Sequence, residues 1–337
     1  MTETAKHSLA PWTENGSIRT VCVLTSGGDA PGMNAAIRAV VRAGLQEGYR
    51  MLGCRRGFHG LWRGDIVELD GRSVSGRLQQ GGTFLMTARS QSFNTPEGVK
   101  KAFDMCKVFD IDALVVIGGD GSLRGALDLA RLGLPVIGIP STIDNDIGSS
   151  EYSIGYDTAM NTAMGAIDKL RDTASSHERC SCIEVMGREA GYIALNVGLS
   201  CGAEVILIPE VKMDFDKDVV RRLLECHNQG KRHYIVIVAE GAGDTVEISR
   251  CIEEQTGIES RVTILGHVQR GGSPSIRDRM MASQMGVLAI KSLAAGQYGH
   301  VISYQQGRLS ALEIEEALQM TKTISREDIE TAYRIAL

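Results

Sequence analysis

The sequence predicts an α/β fold in two lobes, each with a largely parallel sheet flanked by helices, and three observations predict it. Apolar, β-branched runs of strand length alternate with helix-patterned segments along the chain. Several of these runs stop on glycine and polar residues, as strands do when they meet a ligand at the carboxyl edge of a parallel sheet. A length of 337 residues is also more than one ordinary core needs. The stretch around which the rest is arranged is Pro140–Asp146, read with Gly118–Ser122. Each follows a buried-strand pattern, Pro135–Ile139 and Ala113–Ile117 respectively, so both motifs fall at strand C-terminal ends. Asp120, Asp144 and Asp146, three hydroxyls and three glycine-permitted backbone positions would converge there. That set suits a metal, a polyphosphate and a hydroxyl to be deprotonated.

Taken in order, residues 1–18 are polar and aperiodic and read as a flexible extension. Val21–Leu24 is a short strand, Thr25–Asn34 a glycine-rich turn, and a helix follows to Glu47, stopped by Gly48. Gly27 and Gly28 let backbone approach a ligand, and the new helix offers free amides to phosphate, although such turns need glycine for packing about as often. Arg38 and Arg42 share a helix face, either a solvated one or an anion site at a subunit contact. Gln79–Arg89 ends in an arginine after a Gly-Gly turn, and spacing assigns it no role. Helices near 97–108 and 122–132 alternate with the two central strands as βαβ units with right-handed crossovers. A helix over Tyr156–Arg171 turns Ala159, Ala163, Ile167 and Leu170 inward. Cys182–Met186 is a strand, with Gly187 and Arg188 at its end and a helix from about Glu189. Strands at Val205–Ile208, Tyr234–Ala239 and Val262–Leu265 alternate with helices near 215–228, 245–256 and 275–295. Glu240 and His267–Arg270 stand at strand ends, facing a ligand. The lobes then fall at 19–155 and 156–274, with helices from about 275–337 crossing back to the first.

Composition narrows the function classes. Apolar content of 43% and charged content of 23% describe a globular chain with a sizeable interior. A net charge of −5 and a pI of about 5.9 give no footprint for nucleic acid or an anionic membrane, so an anionic ligand needs local arginines and amides. No apolar run approaches the roughly 18 residues of a membrane span. The eight scattered cysteines form no Cys-x-x-Cys pair, and with no signal peptide they read as reduced, mostly buried thiols of a cytoplasmic protein.

The chemistry follows from residue types. Asp120, between glycines, is placed to hold Mg²⁺ directly or through water, because magnesium favours one or two carboxylates plus phosphate oxygens. Alternation along an extended Thr142–Asp146 would put Thr142, Asp144 and Asp146 on one side, with Asp144 a general base and Asp146 competing for metal. Phosphoryl transfer asks mainly for positioning and charge neutralisation, which arginine forks supply. Arg188, Arg261 and Arg270 are candidates at strand ends, with Arg179 just before a strand and Arg89 on its loop.

Five motifs in order, Thr25–Arg38, Ile117–Ser122, Thr142–Asp146, Glu184–Arg188 and Leu265–Pro274, together closely resemble the bacterial-type 6-phosphofructokinase family in its ATP-dependent branch. The similarity runs from about residue 19 to 300. The resemblance implies two Rossmann-like lobes with the active site in the cleft between them. It implies transfer of the γ-phosphoryl group of Mg-ATP to the 1-hydroxyl of fructose 6-phosphate, the committed step of glycolysis. By family pattern Asp144 is the base, and Thr142 and Arg188 orient the transferring group. Gly28, Arg89, Ser90, Gly119, Asp120, Gly121 and Ser122 would line the ATP site, with Asp120 on Mg²⁺. Met186, Gly187 and Glu240 match sugar contacts. Arg179, Arg261, His267 and Arg270 match the 6-phosphate pocket, where the first two reach in from a neighbouring subunit, which implies a homotetramer. An effector site is implied by Arg38, Arg42, Arg171, Gly202, Glu204, Lys231 and His233. Gly71 and Gln229 stand where basic residues are usual, with Arg72 one place along, which implies weakened or altered activation by nucleoside diphosphate. The pyrophosphate-using branch carries Asp in place of Gly121 and Lys in place of Ser141. Glycine leaves room for the α-phosphate of ATP, while Ser141 matches neither that lysine nor the glycine of the ATP branch. The alternatives are a pyrophosphate-dependent phosphofructokinase and a non-catalytic sugar-phosphate sensor; Asp120, Asp144 and Arg188, all present, argue against the sensor.

Overall fold

A computed structural model of the chain describes residues 18–88 and 90–335. The N-terminal extension, apart from Ile18, and the ATP-site candidate Arg89 lie outside the described residues. The described residues form two compact units, one of residues 18–88, 90–142, 147–154 and 273–321, the other of 143–146, 155–272 and 322–335.

The first unit opens with β1 (Thr20–Ser26), α1 (Met33–Gln46), β2 (Arg50–Cys54), α2 (Gly57–Arg63) and β3 (Ile66–Glu68). It continues through α3 (Pro96–Val108), β4 (Ala113–Gly118), α4 (Asp120–Arg131) and β5 (Val136–Pro140). The second unit holds α5 (Tyr156–His177), β6 (Cys180–Val185), α6 (Tyr192–Cys201), β7 (Val205–Leu207), α7 (Arg221–Asn228), β8 (Tyr234–Ala239), α8 (Thr245–Thr256) and β9 (Ser260–Ile264). The chain then returns to the first unit with α9 (Ile276–Ala294), β10 (His300–Gln305), β11 (Arg308–Glu313) and α10 (Ile314–Ala317), and ends in the second with α11 (Arg326–Ile335).

The first sheet has seven strands in the order β11-β10-β5-β4-β1-β2-β3, parallel from β10 to β2 with antiparallel edges. The second has four, β7-β8-β6-β9, all parallel. Their central strands β1, β4, β5 and β8 are buried at every residue, as expected of parallel strands covered on both faces. Leu24, Leu114 and Val116 of the first sheet pack under Leu123, Ala126 and Leu129 of α4. Each of the fully buried Leu and Val side chains contributes about 1.5–3 kcal/mol. Gly125 of the same helix gives way to a stacked pair, Phe58 and Phe93, 4.2 Å between ring centroids; a Cβ at 125 would stand 2.9 Å from both rings. In the second unit Val205, Val236, Val238, Leu223 and Ile252 form the corresponding core.

Several expectations are corrected. The chain past residue 294 is not only helical, for β10 and β11 pair as a hairpin across Gln306 and Gly307, whose φ values of 49° and 77° are those of a primed two-residue turn. The last described stretch, 322–335, belongs with the second unit rather than the first. The helix expected from Glu189 starts at Tyr192, because Gly187 (φ 148°) and Arg188 (φ 53°) take left-handed backbone and a turn intervenes. Finally, α5 runs on to His177, beyond Arg171.

Candidate active site

In the first unit, β4 ends at Gly118 and hands directly to α4, whose first residue is Asp120. No side chain caps this helix, so its leading amides are left for a ligand, and the extended backbone of Gly119 (φ −84°, ψ −172°) aims the chain at them. Gly118 is needed for close approach, since a Cβ there would lie 2.5 Å from the Ser26 carbonyl of β1. Gly121 faces open space, with nothing within 4 Å of a Cβ built on it. Asp120 is half exposed and paired with Arg124 one turn on, at 2.8 Å. Ser122 is buried beside Gly27, and Gly28 is exposed at the tip of the β1–α1 turn.

The loop before Arg89, opaque in the sequence, folds back on that turn. Asn34, buried in the first turn of α1, donates to the carbonyls of Gln80 and Gly81 and accepts from the Phe84 amide. Thr25 Oγ1 meets Thr83 Oγ1 at 2.9 Å, and Thr87 donates to the Gly27 carbonyl at 2.7 Å. Ser90 Oγ accepts from the Phe93 amide. Thr142, after β5, has its carbonyl held by Ser153 Oγ at 2.7 Å, while Ser141 Oγ donates to the Ile154 carbonyl.

The candidate general base, Asp144, lies in the second unit. Asp144 is 2% exposed, and its Oδ2 lies 3.5 Å from Arg188 Nε. Burial pushes its pKa above the usual carboxylate range, and the nearby Asp146 pushes the same way. Arg188 and Arg270 pull it back down, while Glu240 adds a further upward push. The single-face expectation for Thr142–Asp146 is corrected. Asn145 is left-handed at φ 51°, which breaks the extended alternation and leaves Asp144 buried but Asp146 exposed. Three strand ends meet around this carboxylate. The Arg188 amide donates to Glu240 Oε2 at the end of β8 (3.1 Å), and the Met186 amide at the end of β6 donates to Gln269 Oε1 at 3.4 Å. Gln269, fully buried, sits between His267 and Arg270 in the turn after β9 and also donates to the Gly266 carbonyl. Gly187 and Gly241 permit the contact, since a Cβ at 241 would stand 2.3 Å from the Arg188 carbonyl.

Arg179 and Arg261 are not part of this cluster. Arg179 precedes β6 and Arg261 is the second residue of β9, so both lie at the amino edge of the sheet whose carboxyl edge bears Arg188 and Arg270. A strand of this length separates the two edges by roughly 20 Å. The grouping of Arg261 with the carboxyl-edge arginines is therefore corrected: it is the second residue of β9, on the amino side of its strand. The two arginines grip one carboxylate, Arg179 Nε lying 2.9 Å from Glu259 Oε2 and Arg261 reaching Glu259 Oε1.

The effector candidates of the second unit gather at α6 and β7. Arg171 donates to the Cys201 carbonyl, and Gly202 (φ 62°) closes α6. Glu204, 1% exposed, pairs with Lys231 and accepts from the Ile235 amide at 2.5 Å. His233 is half-buried just before β8. Arg38 and Arg42 belong to the other unit, on α1, as do Gly71 and Arg72. Among the described residues no group of three or more His, Cys, Asp and Glu could hold a metal ion. The metal reading accordingly falls on single carboxylates, Asp120 and Asp146. No helix among the described residues is long and apolar enough to cross a membrane.

Residues 20–293 match the family described as Phosphofructokinase. The chain belongs to the phosphofructokinase family. A relative named ATP-dependent 6-phosphofructokinase, from Clostridium tetani, is 53% identical over 303 residues, covering 90% of this chain and 95% of its own. Among solved structures, phosphofructokinase from Saccharomyces cerevisiae superimposes with a TM-score of 0.85 at 33% identity, and Pichia pastoris phosphofructokinase in the T-state with 0.87 at 35%. These matches cover 94% and 95% of this chain, which spans 48% and 37% of those longer chains. Within the family frame, Gln269 and Asn34 lie inside two of the five motifs, and the structure gives each a role the motif does not: holding a loop from inside the fold. Each was legible only as a polar residue inside an otherwise apolar or glycine-rich segment.

Proposed function

We propose that this chain is an ATP-dependent 6-phosphofructokinase, transferring the γ-phosphoryl group of ATP to the 1-hydroxyl of fructose 6-phosphate. The observation that carries it is Asp144, a buried carboxylate with its pKa held up, flanked by Arg188 and Arg270. A carboxylate with a raised pKa is a stronger base for a hydroxyl proton as attack begins. In this reading Asp144 takes the 1-hydroxyl proton, and Arg188, with Thr142, orients the phosphoryl oxygens by charge-assisted hydrogen bonds. Met186, Gly187 and Glu240 contact the sugar, and His267 and Arg270 take the 6-phosphate. In the first unit the uncapped α4 terminus and Gly28, Ser90, Gly119 and Ser122 receive the nucleotide phosphates. The open space at Gly121 favours ATP over pyrophosphate as donor, because a side chain there would occupy the room an α-phosphate needs. The half-exposed Asp120 fits a magnesium ion that keeps its waters, with Asp146 as a second carboxylate. Mg²⁺ supplies neutralisation of the developing phosphate charge.

Arg179 and Arg261, turned away from Asp144 along the sheet, fit the role of completing a neighbouring subunit's 6-phosphate pocket in a homotetramer. The cytoplasm is the compartment this reading calls for. The test is purified protein supplied with ATP or pyrophosphate as sole donor, alongside Asp144→Asn. Turnover with ATP alone, and a loss of about 10²- to 10⁴-fold in the variant, is expected. Equal turnover with pyrophosphate would overturn the donor assignment, and an active Asp144→Asn the base assignment.

A further inference from the structure

The Asp144 loop is gripped by a residue from the far end of the chain. Asn145, wedged between the buried Asp144 and the exposed Asp146, holds a left-handed backbone at φ 51°. Asparagine is, with aspartate, the non-glycine residue that adopts this conformation most readily, so the turn needs no glycine here. The Asn145 carbonyl accepts a hydrogen bond from Lys322 Nζ at 2.9 Å, across 177 residues of sequence. The same ammonium lies 4.8 Å above the ring of Tyr192, the first residue of α6, close enough for a cation–π contact. Burial, and then the charges of Glu210 and Asp146, push the Tyr192 phenol up to about 12, so the ring stays neutral beneath the lysine.

Lys322 is itself held in place. The segment it begins continues into α11, where Arg222 of α7 donates to the Tyr333 carbonyl and stacks 4.9 Å over the Tyr333 ring. Ile329, Ala332 and Tyr333 close a cavity of about 20 Å³ against Leu195 and Ile206. The terminal segment is thus fastened at both ends to the second unit, one end on the Asp144 loop.

We infer that Lys322 is a positioning residue for the phosphoryl-transfer step. It fixes the Asn145 peptide in the conformation that buries Asp144 beside Arg188 while leaving Asp146 outside. It touches neither substrate nor reacting atoms; its action runs through the peptide that follows the base. This rests on the assignment of Asp144 as base, and it adds a requirement that the five motifs do not contain.

The full-length enzyme carrying Lys322→Met tests it, with Lys322→Arg and Asp144→Asn alongside. Misplacement of a reacting group by about 1 Å costs up to 10²-fold, so kcat should fall about tenfold or more in Lys322→Met, with KM for both substrates within about twofold. The melting temperature should stay close to that of the parent, and Lys322→Arg, which keeps a donor and a cation over Tyr192, should recover most of the loss. An unchanged kcat overturns the inference. So does a loss that tracks a fall in melting temperature, or one that arginine fails to recover, since either describes a merely structural lysine. If Asp144→Asn turns over normally, the base assignment falls instead.

Discussion

Asp144 carries two opposed demands. Its pKa is raised chiefly by burial and next by Asp146, so the fold favours the neutral carboxyl, whereas the proposed base role needs the carboxylate. The stability contributed by burying the neutral group is present at low pH and is lost as pH rises through the raised pKa. Activity runs the other way, and is lost as pH falls through that same value. The acid limb of kcat/KM should therefore lie above the ordinary aspartate range near 3.8. Asp146→Asn removes a like charge, lowers the pKa of Asp144 and should move that limb to lower pH, as a pH–rate profile would record. A limb that stays in place in Asp146→Asn would mean that another group titrates.

At the scale of elements, the second unit's site is a meeting of three strand ends, and Gln269 fastens two of them. Its side chain accepts from the Met186 amide and donates to the Gly266 carbonyl while fully buried. Gln269→Ala leaves both partners without it in a dry environment, at an expected cost of about 1–3 kcal/mol of stability, measurable by urea unfolding. It should also loosen His267 and Arg270 on one side and Gly187 on the other, so KM for the sugar phosphate should rise along with the loss of stability. A variant as stable as the parent would show that the turn after β9 is held by its backbone alone. The β1–α1 turn is fastened by the same device, with Asn34 in place of Gln269.

For the whole molecule, the placement of Arg179 and Arg261 has a consequence for assembly. Both lie at the amino edge of β6 and β9, away from the Asp144 cluster, on a shared Glu259. If they serve a neighbour's pocket, the native mass should be four times the 36.3 kDa of the chain. Co-assembled Asp144→Asn and Arg261→Ala subunits should then be more active than either variant alone, because some pockets regain both groups. Activity no higher than the parents' would place Arg261 in its own subunit's chemistry or in none.

By itself, the sequence determined the alternation of strands and helices, the positions of Gly118–Ser122 and Arg188 at strand ends, and, by resemblance, the family and its reaction. These rest on local physics: β-branched runs bounded by glycine, and charged residues where a parallel sheet meets its ligand. Where the chain reverses on itself, the sequence was silent or misleading. The hairpin of β10 and β11 turns on Gln306 and Gly307, and α6 begins late because Gly187 and Arg188 are left-handed. Tertiary structure alone decided that Asp144 is buried and Asp146 is not, and that Lys322 reaches Asn145. The physical reason is common to both. Burial and reach depend on which distant segments pack together, and a spacing of two or four residues carries no record of a partner 177 residues away.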